Sequence, residues 1–300
     1  MAALANSVSS AVDGVRERLG DAERRFDCCD TTFVASATGP GASRAVERAR
    51  DRAEQLEAVL DAFDADSAVT ELNDTGRVEN QHVAAVVWRG LRYADRTDGA
   101  FDVRRGRFEH ELKAYIRDGG TRPTAERSGD ASIHVDGTVV TTDRALDLNG
   151  LAKGYIVDHA FDALDGVGRE GFVAGGGDVA SPSGPVGIEN PYSDGRGNDT
   201  PLKVLKTDWH VATSAGHRRS RGPVDHVYDP RTGEAGTRHD FVTVVAARDC
   251  TEADALATAL SASPLDEALE LAESWAGLEA LVVHEGVFHE TSGFESHVAN

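Results

Sequence analysis

The sequence predicts an α+β fold: a single compact domain in which an antiparallel sheet carries inserted helices. Three observations lead there. Apolar residues recur at helical spacing through most of the first hundred positions. From Ser132 the spacing shortens to that of strands, first in a hairpin turning at Asp136-Gly137. Two further helical stretches then interrupt the strands without a regular βαβ alternation.

Val8, Val12, Val15, Leu19, Ala22 and Phe26 recur at spacings of four and three, which predicts an amphipathic helix weakened by Gly14 and Gly20. Residues 1–30 thus read as an N-terminal helical extension and 31–300 as the domain proper. The apolar stripe can dock on its own domain or on a second copy, which leaves a homodimer open. Thr31 to Ala37 reads as a strand. Residues 42–63 read as a charged helix with Ala45, Ala49, Ala53, Leu56, Val59, Leu60 and Phe63 on one side, and 81–96 as another. Residues 104–130, rich in Arg, Gly and charge, read as a variable surface connection. Ile133 to Val140 is the hairpin. Strands are expected near 144–148, 171–174, 185–188, 202–212, 224–228 and 241–247, helices at 151–165 and 252–274, and a last hairpin over 278–289.

Composition narrows the function. The 300 residues hold 31 basic and 51 acidic side chains, a net charge of -20. The basic residues include four lysines, at 113, 153, 203 and 206, so Arg supplies the other 27 (31 − 4). The acids are spread throughout, as on the hydrated surface expected in a salt-rich cytosol. No basic patch is available to neutralise phosphates, which argues against nucleic acid as a partner. Cys28, Cys29 and Cys250 have neither disulfide-framework nor zinc-finger spacing. The first residues lack a basic n-region and an uninterrupted apolar core, and no run approaches the roughly 20 apolar residues of a membrane span. The expectation is a cytoplasmic protein.

Four segments can carry chemistry. Asp147-Leu148-Asn149-Gly150-Leu151-Ala152-Lys153 turns from an acid through Asn-Gly into a helix with a lysine near its start. Gly150 allows close approach to its backbone, Asp147 can help hold a cation, and Lys153 can meet a phosphate. An ordinary strand–turn–helix explains the same residues. Asp254 and Thr258 stand one helical turn apart and are hard oxygen ligands suited to magnesium; Thr251 to Asp254 also reads as a helix cap. In His226-Val227-Tyr228-Asp229-Pro230-Arg231-Thr232-Gly233, a tight turn accounts for Asp229, Pro230 and Gly233. His226 is left as a general base or a satisfied structural histidine. Gly175-Gly176-Gly177-Asp178 and Thr213-Ser214-Ala215-Gly216 can each bring backbone to a flavin or a phosphate, or serve as a bulge.

Taken in order from about Thr31 to Gly286, the chain resembles the ApbE family of FAD:protein FMN transferases. The landmarks are SAVTELN (67–73), Gly99-Ala100-Phe101-Asp102, DLNGLAKGYIVD (147–158), GGGD (175–178), VGIENP (186–191), ATSAG (212–216), HVYDPRTG (226–233) and EADALATAL (252–260). The resemblance implies a fold whose central part is related to the tunnelling fold. It implies Mg²⁺-dependent transfer of FMN from FAD to a Thr or Ser hydroxyl of an acceptor flavoprotein, with AMP leaving. It puts the metal on the Gly150 carbonyl, Asp254 and Thr258. FAD would contact Phe63, Ala100, Phe101, Asp102, Asp147, Lys153, Gly176, Ser214 and Tyr228. Catalytic roles fall to His226 and Lys153, with Asp229 as a second candidate base. Val103 to Phe108 departs from the family's usual Thr-Val-Gly-Pro-Leu continuation, and Phe63 stands where Tyr is common. Two other activities fit the same residues: a Mg²⁺-dependent FAD pyrophosphatase, and a flavin-binding protein without turnover.

Overall fold

A computed structural model describes residues 20–123, 132–164, 171–180, 184–190, 192, 200–215, 220–221, 224–225, 227–234 and 236–299. The strands are β1 (Ala22–Cys28), β2 (Thr31–Ala37), β3 (Arg77–Glu79), β4 (Ile133–Asp136), β5 (Val139–Thr142), β6 (Gly171–Gly175), β7 (Asp178–Ala180), β8 (Val186–Ile188), β9 (Lys203–Leu205), β10 (His210–Ser214), β11 (Ser220–Arg221), β12 (Val224–Asp225), β13 (Phe241–Ala246), β14 (Leu278–His284) and β15 (Val287–Glu290). The helices are α1 (Ala42–Leu60), α2 (Ala68–Thr75), α3 (Gln81–Arg96), α4 (Gly106–Asp118), α5 (Asn149–Asp162), α6 (Cys250–Ala262) and α7 (Leu265–Ser274). Eight strands form one antiparallel sheet in the order β1-β2-β6-β7-β10-β13-β14-β15. This is the expected α+β class with inserted helices.

β13 shows how the sheet is held. All six of its residues are buried, because both faces are covered. Val242, Val244 and Ala246 join the main core with Phe33, Ala35 and Val173 and the apolar sides of α1, α5 and α6. Phe241 and Val245 point the other way, into a smaller core with Val211, Leu281 and Val283 that the β8–β9 ribbon (Ile188, Leu205) and Phe294 close. Burial on both faces erases the polar alternation of a one-sided strand.

Several expectations are corrected. Ala22 and Phe26 belong to β1, not to a helix: β1 pairs with β2 over seven residues, and the Phe26 ring packs 5.7 Å from that of Phe33. The rest of the N-terminal helix lies outside the described residues. Residues 104–130 are not a surface connection throughout. A 3-10 turn at Val103–Arg105 leads into α4, whose Phe108, Leu112, Tyr115 and Ile116 form a helical stripe that packs with Tyr228. Residues 144–148 are not a strand, because the backbone of Leu146 is matched by a side chain instead: Asn73 accepts from Leu146 N (2.8 Å) and donates to its carbonyl (3.0 Å). The 202–212 strand is two, β9 pairing with β8 and β10 with β7 and β13. The 252–274 helix is also two, α6 and α7, separated at Ser263-Pro264, where proline disfavours helical backbone in the residue before it.

Candidate functional site

Where α5, α6, α4 and the ends of β7 and β10 converge, a cavity of about 430 Å³ opens, within the usual range for a small-molecule site. Its walls include Ala100, Phe101, Asp102, Asp147, Gly150, Lys153, Gly176, Ser214, Tyr228, Asp254 and Thr258. Eleven residues singled out in sequence, drawn from six segments, therefore meet in one place.

Gly154 makes this meeting possible. A Cβ there would stand 2.4 Å from the Cys250 carbonyl oxygen and 2.9 Å from Cβ of Asp254, so only glycine lets α5 and α6 approach this closely. Across the crossing, Asp254 Oδ2 accepts the Gly154 N–H at 2.9 Å. In a regular helix that N–H bonds the carbonyl four residues back, that of Gly150. A Cβ on Gly150 would lie 2.9 Å from the Phe101 ring and 3.5 Å from the Thr258 methyl, so the Gly150 backbone sits close against Phe101 and Thr258.

The capping alternative for Asp254 fails. The α6 cap is Asp249, whose side chain accepts from Glu252 N at 2.9 Å. The free N–H groups of Cys250 and Thr251 go to Asp158, at 2.8 and 2.9 Å. Asp254, a turn further on, is buried and faces the cavity.

Two charge clusters line the walls. In one, the Lys153 ammonium bridges Asp178 and Asp254, the latter at 3.2 Å. Burial alone would lower the Lys153 pKa; Asp178 and Asp254 together raise it. Burial and the Asp254 charge push the Asp178 carboxyl well up despite Lys153, and among the described residues Asp178 Oδ1 is buried without a hydrogen-bond partner. Lys153 alone does not offset the burial of Asp178 beside Asp254, so the cluster has room for further positive charge. The carbonyl of Gly150, the carboxylate of Asp254 and the hydroxyl of Thr258 are hard oxygen donors of the kind Mg²⁺ takes. The residues present fit that ion.

The second cluster was hidden in the segment read as a surface connection. Lys113, on α4, donates to Asp147 Oδ2 at 2.8 Å and pairs with Glu109 at 2.7 Å. Asp147 also accepts from Asn149 N at 2.9 Å, and His110 stands 3.4 Å away. Burial would raise Asp147, but Lys113 and His110 outweigh it and hold the carboxyl below the usual carboxylate range. Glu109 goes the other way: burial and then Asp147 push it up to about 7, against Lys113. Glu109 and Lys113 are cavity walls. The available sequence signal was the i,i+4 Glu–Lys pair and the scarcity of lysine: the cavity holds two of the chain's four.

The remaining candidates divide. Tyr228 is buried against Phe108, ring centroids 4.9 Å apart, and among the described residues its buried hydroxyl has no hydrogen-bond partner. Phe63 is not among the cavity walls: it is half exposed, with its ring 5.5 Å from that of His110. Asp229 is a turn residue and is not among the cavity walls. It accepts from Arg231 N and Nε at 2.9 and 3.0 Å, and its carbonyl takes the Gly233 N–H at 2.7 Å. His226 and Gly216 lie outside the described residues. The departure at 103–108 leaves the site intact, since the Val103 carbonyl accepts Asp147 N at 3.0 Å and so fixes the start of the 147–154 turn.

A model of the ApbE family matches residues 29–282. An FAD:protein FMN transferase of Treponema pallidum (strain Nichols) is 31% identical, over 77% of this chain and 74% of that one. Among solved structures, the ApbE protein of Thermotoga maritima superposes with a TM-score of 0.77 at 23% identity, covering 93% of this chain and 100% of the other. The flavin transferase ApbE of Vibrio cholerae gives 0.75 at 19% identity, covering 92% and 99%.

Proposed function

The chain belongs to the ApbE family, and from that premise we propose that it transfers FMN from FAD to a Thr or Ser hydroxyl of an acceptor flavoprotein, releasing AMP. The observation that carries this reading is the Gly150–Asp254–Thr258 oxygen set beside two buried ammonium–carboxylate clusters in one cavity. Phosphoryl-type transfer needs charge neutralisation and alignment more than covalent help from the protein.

In the reaction, the acceptor hydroxyl oxygen bonds to the FMN-side phosphorus, the bridging P–O bond breaks, and the bridging oxygen leaves on AMP. Mg²⁺ held by Gly150, Asp254 and Thr258 would neutralise phosphate charge. Lys153 orients Asp254 for that task through the shared ion pair. Lys113 keeps Asp147 ionised, and Asp147 holds the Asn149 N–H at the start of α5. Glu109, titrating near neutrality, is placed to take the hydroxyl proton. Phe101 and Tyr228 offer an apolar edge and an unpartnered hydroxyl to the flavin side. No helix among the described residues is long and apolar enough to cross a membrane; a cytoplasmic location and a flavoprotein partner belong to the same proposal.

The test is intact-mass analysis of a Thr-bearing acceptor incubated with the protein, FAD and Mg²⁺, together with AMP quantification. The expected result is acceptor heavier by one FMN residue and an equal amount of AMP. FMN and AMP accumulating without labelled protein would instead establish the pyrophosphatase, and bound FAD without AMP would establish a carrier.

A further inference from the structure

Two of the chain's three cysteines are adjacent, at Cys28 and Cys29, in the turn that joins β1 to β2. The central residues of this turn, Cys29 and Asp30, have φ of 55° and 56°. That is the geometry of a two-residue I′ hairpin, which ordinarily takes Asn-Gly. A cysteine there adopts backbone that L side chains disfavour and calls for a reason.

The sulfurs supply one. Sγ of Cys28 and Sγ of Cys29 are 3.7 Å apart. Two thiolates on one tetrahedral ion, each bonded at about 2.3 Å, stand about 3.8 Å apart; disulfide sulfurs stand about 2.05 Å apart. The pair is spaced as the edge of a metal tetrahedron. Glu57, on α1, reaches the same point: its Oε1 accepts the Cys29 N–H at 2.5 Å, and one ligand atom from each of the three residues lies within 4.8 Å of the others. Cys28 is buried while Cys29 and Glu57 are half-buried, so the outer side is accessible to a fourth ligand.

We propose that Cys28, Cys29 and Glu57 bind a thiophilic divalent cation of the zinc class, distinct from the oxygen site at Asp254. The next residues, Asp30 and Thr31, are walls of the main cavity, and the Thr31 methyl lies 3.0 Å from where a Cβ on Gly176 would stand. The cation thus pins the hairpin tip that borders the main cavity. The binding claim itself is independent of the transferase reading.

Asp158, His210 and Cys250 also cluster within 4.8 Å, but the Asp158 and Cys250 donors are already engaged. The Asp158 oxygens take Cys250 N, Thr251 N and the Thr251 hydroxyl, and the Cys250 thiol donates to the Val211 carbonyl at 3.6 Å. That cluster caps α6 and serves as the control.

The test titrates phosphine-reduced, metal-free full-length chain with Cd²⁺, read by the ultraviolet sulfur-to-cadmium charge-transfer band. Zn²⁺ is measured by competition with a chromophoric chelator. One equivalent of Cd²⁺ per chain is expected. Cys29→Ser, at a half-buried position, should abolish the band, and Glu57→Gln should weaken Zn²⁺ binding by at least the roughly 10–100-fold that even outer-shell losses cost. Cys250→Ser and Asp254→Asn should leave the band in place, with matching far-ultraviolet circular dichroism showing each variant folded. A wild-type chain without a saturable band, a band kept by Cys29→Ser, or a band lost with Cys250→Ser overturns the proposal.

Discussion

Asp254→Asn separates the chemical role of Asp254 from its structural one. The carboxylate does two things: it accepts the Gly154 N–H at 2.9 Å and supplies one negative charge to the cluster with Lys153 and Asp178. An asparagine carbonyl can still accept that N–H, so the α5–α6 crossing survives. The charge is lost, leaving Lys153 with Asp178 alone. Because Asp254 is one cause of the raised Asp178 carboxyl, removing it relieves a repulsion, and folding stability should stay level or rise. Catalysis should move the opposite way. Loss of one charge-stabilising contact costs roughly 10²–10³ in rate, or about 2.7–4 kcal/mol. AMP release would be followed under saturating FAD across a Mg²⁺ titration, with urea unfolding measured alongside. Stability preserved with AMP release down a hundredfold or more is the expected crossed result. A folded variant within about tenfold of wild type across the titration would refute the assignment of Asp254 to the metal.

Four further variants follow from the geometry. Lys153→Met should destabilise by about 3–5 kcal/mol in denaturant melts, because it leaves Asp178 and Asp254 buried without their shared cation; a change below 1 kcal/mol would contradict that pairing. Glu109→Gln should remove a limb of the pH–rate profile that rises through about pH 7. The same substitution has a sign in stability: between the ordinary carboxylate range and about 7 the folded chain holds a proton the unfolded chain has released, so stability from Glu109 falls as pH rises, and the variant should lack that slope. Asn73→Ala, which unpairs both buried backbone groups of Leu146, should cost about 2–4 kcal/mol on the usual scale for buried unsatisfied groups, read by urea unfolding. Gly154→Ala, with its Cβ 2.4 Å from the Cys250 carbonyl, should cost about 1–3 kcal/mol and weaken FAD binding; an unchanged binding isotherm would detach the crossing from the site.

The legible parts of the sequence were those where one period dominated. α3 matches its expected range at both ends, and the 133–142 hairpin forms as expected, although its turn falls one residue later, at Gly137-Thr138, with Asp136 paired to Val139 and Gly137 at φ 59°. Gly150, Asp254 and Thr258, each with an ordinary local reading in sequence, line one cavity. α4 was missed because its charged residues masked Phe108, Leu112, Tyr115 and Ile116, whose partner Tyr228 is remote in sequence. With α4 went Glu109 and Lys113. The 144–148 stretch misled for a related reason: Leu146 and Leu148 are buried, but an asparagine side chain, not a neighbouring strand, satisfies Leu146. Neither partner is encoded locally. Lys153 was placed correctly at the cavity, but its charge is shared with Asp178 and Asp254 rather than held ready for a phosphate.

The α5–α6 crossing also bears on how the protein reaches its native state. The contact between Gly154 and Asp254 closes a span of 100 residues, and chains rich in such long-range closures fold slowly because loop entropy is lost before the contact compensates it. β6, β7, β10 and β13 lie between the two helices in sequence and in the same sheet, so the crossing is a long-range contact. A truncated or partly folded chain therefore has no rudimentary version of the cavity. Retained ligand binding is thus a stringent check of completed folding in any variant, and a folding helper or a stalled ribosome would hold a chain that has not yet acquired any affinity for flavin.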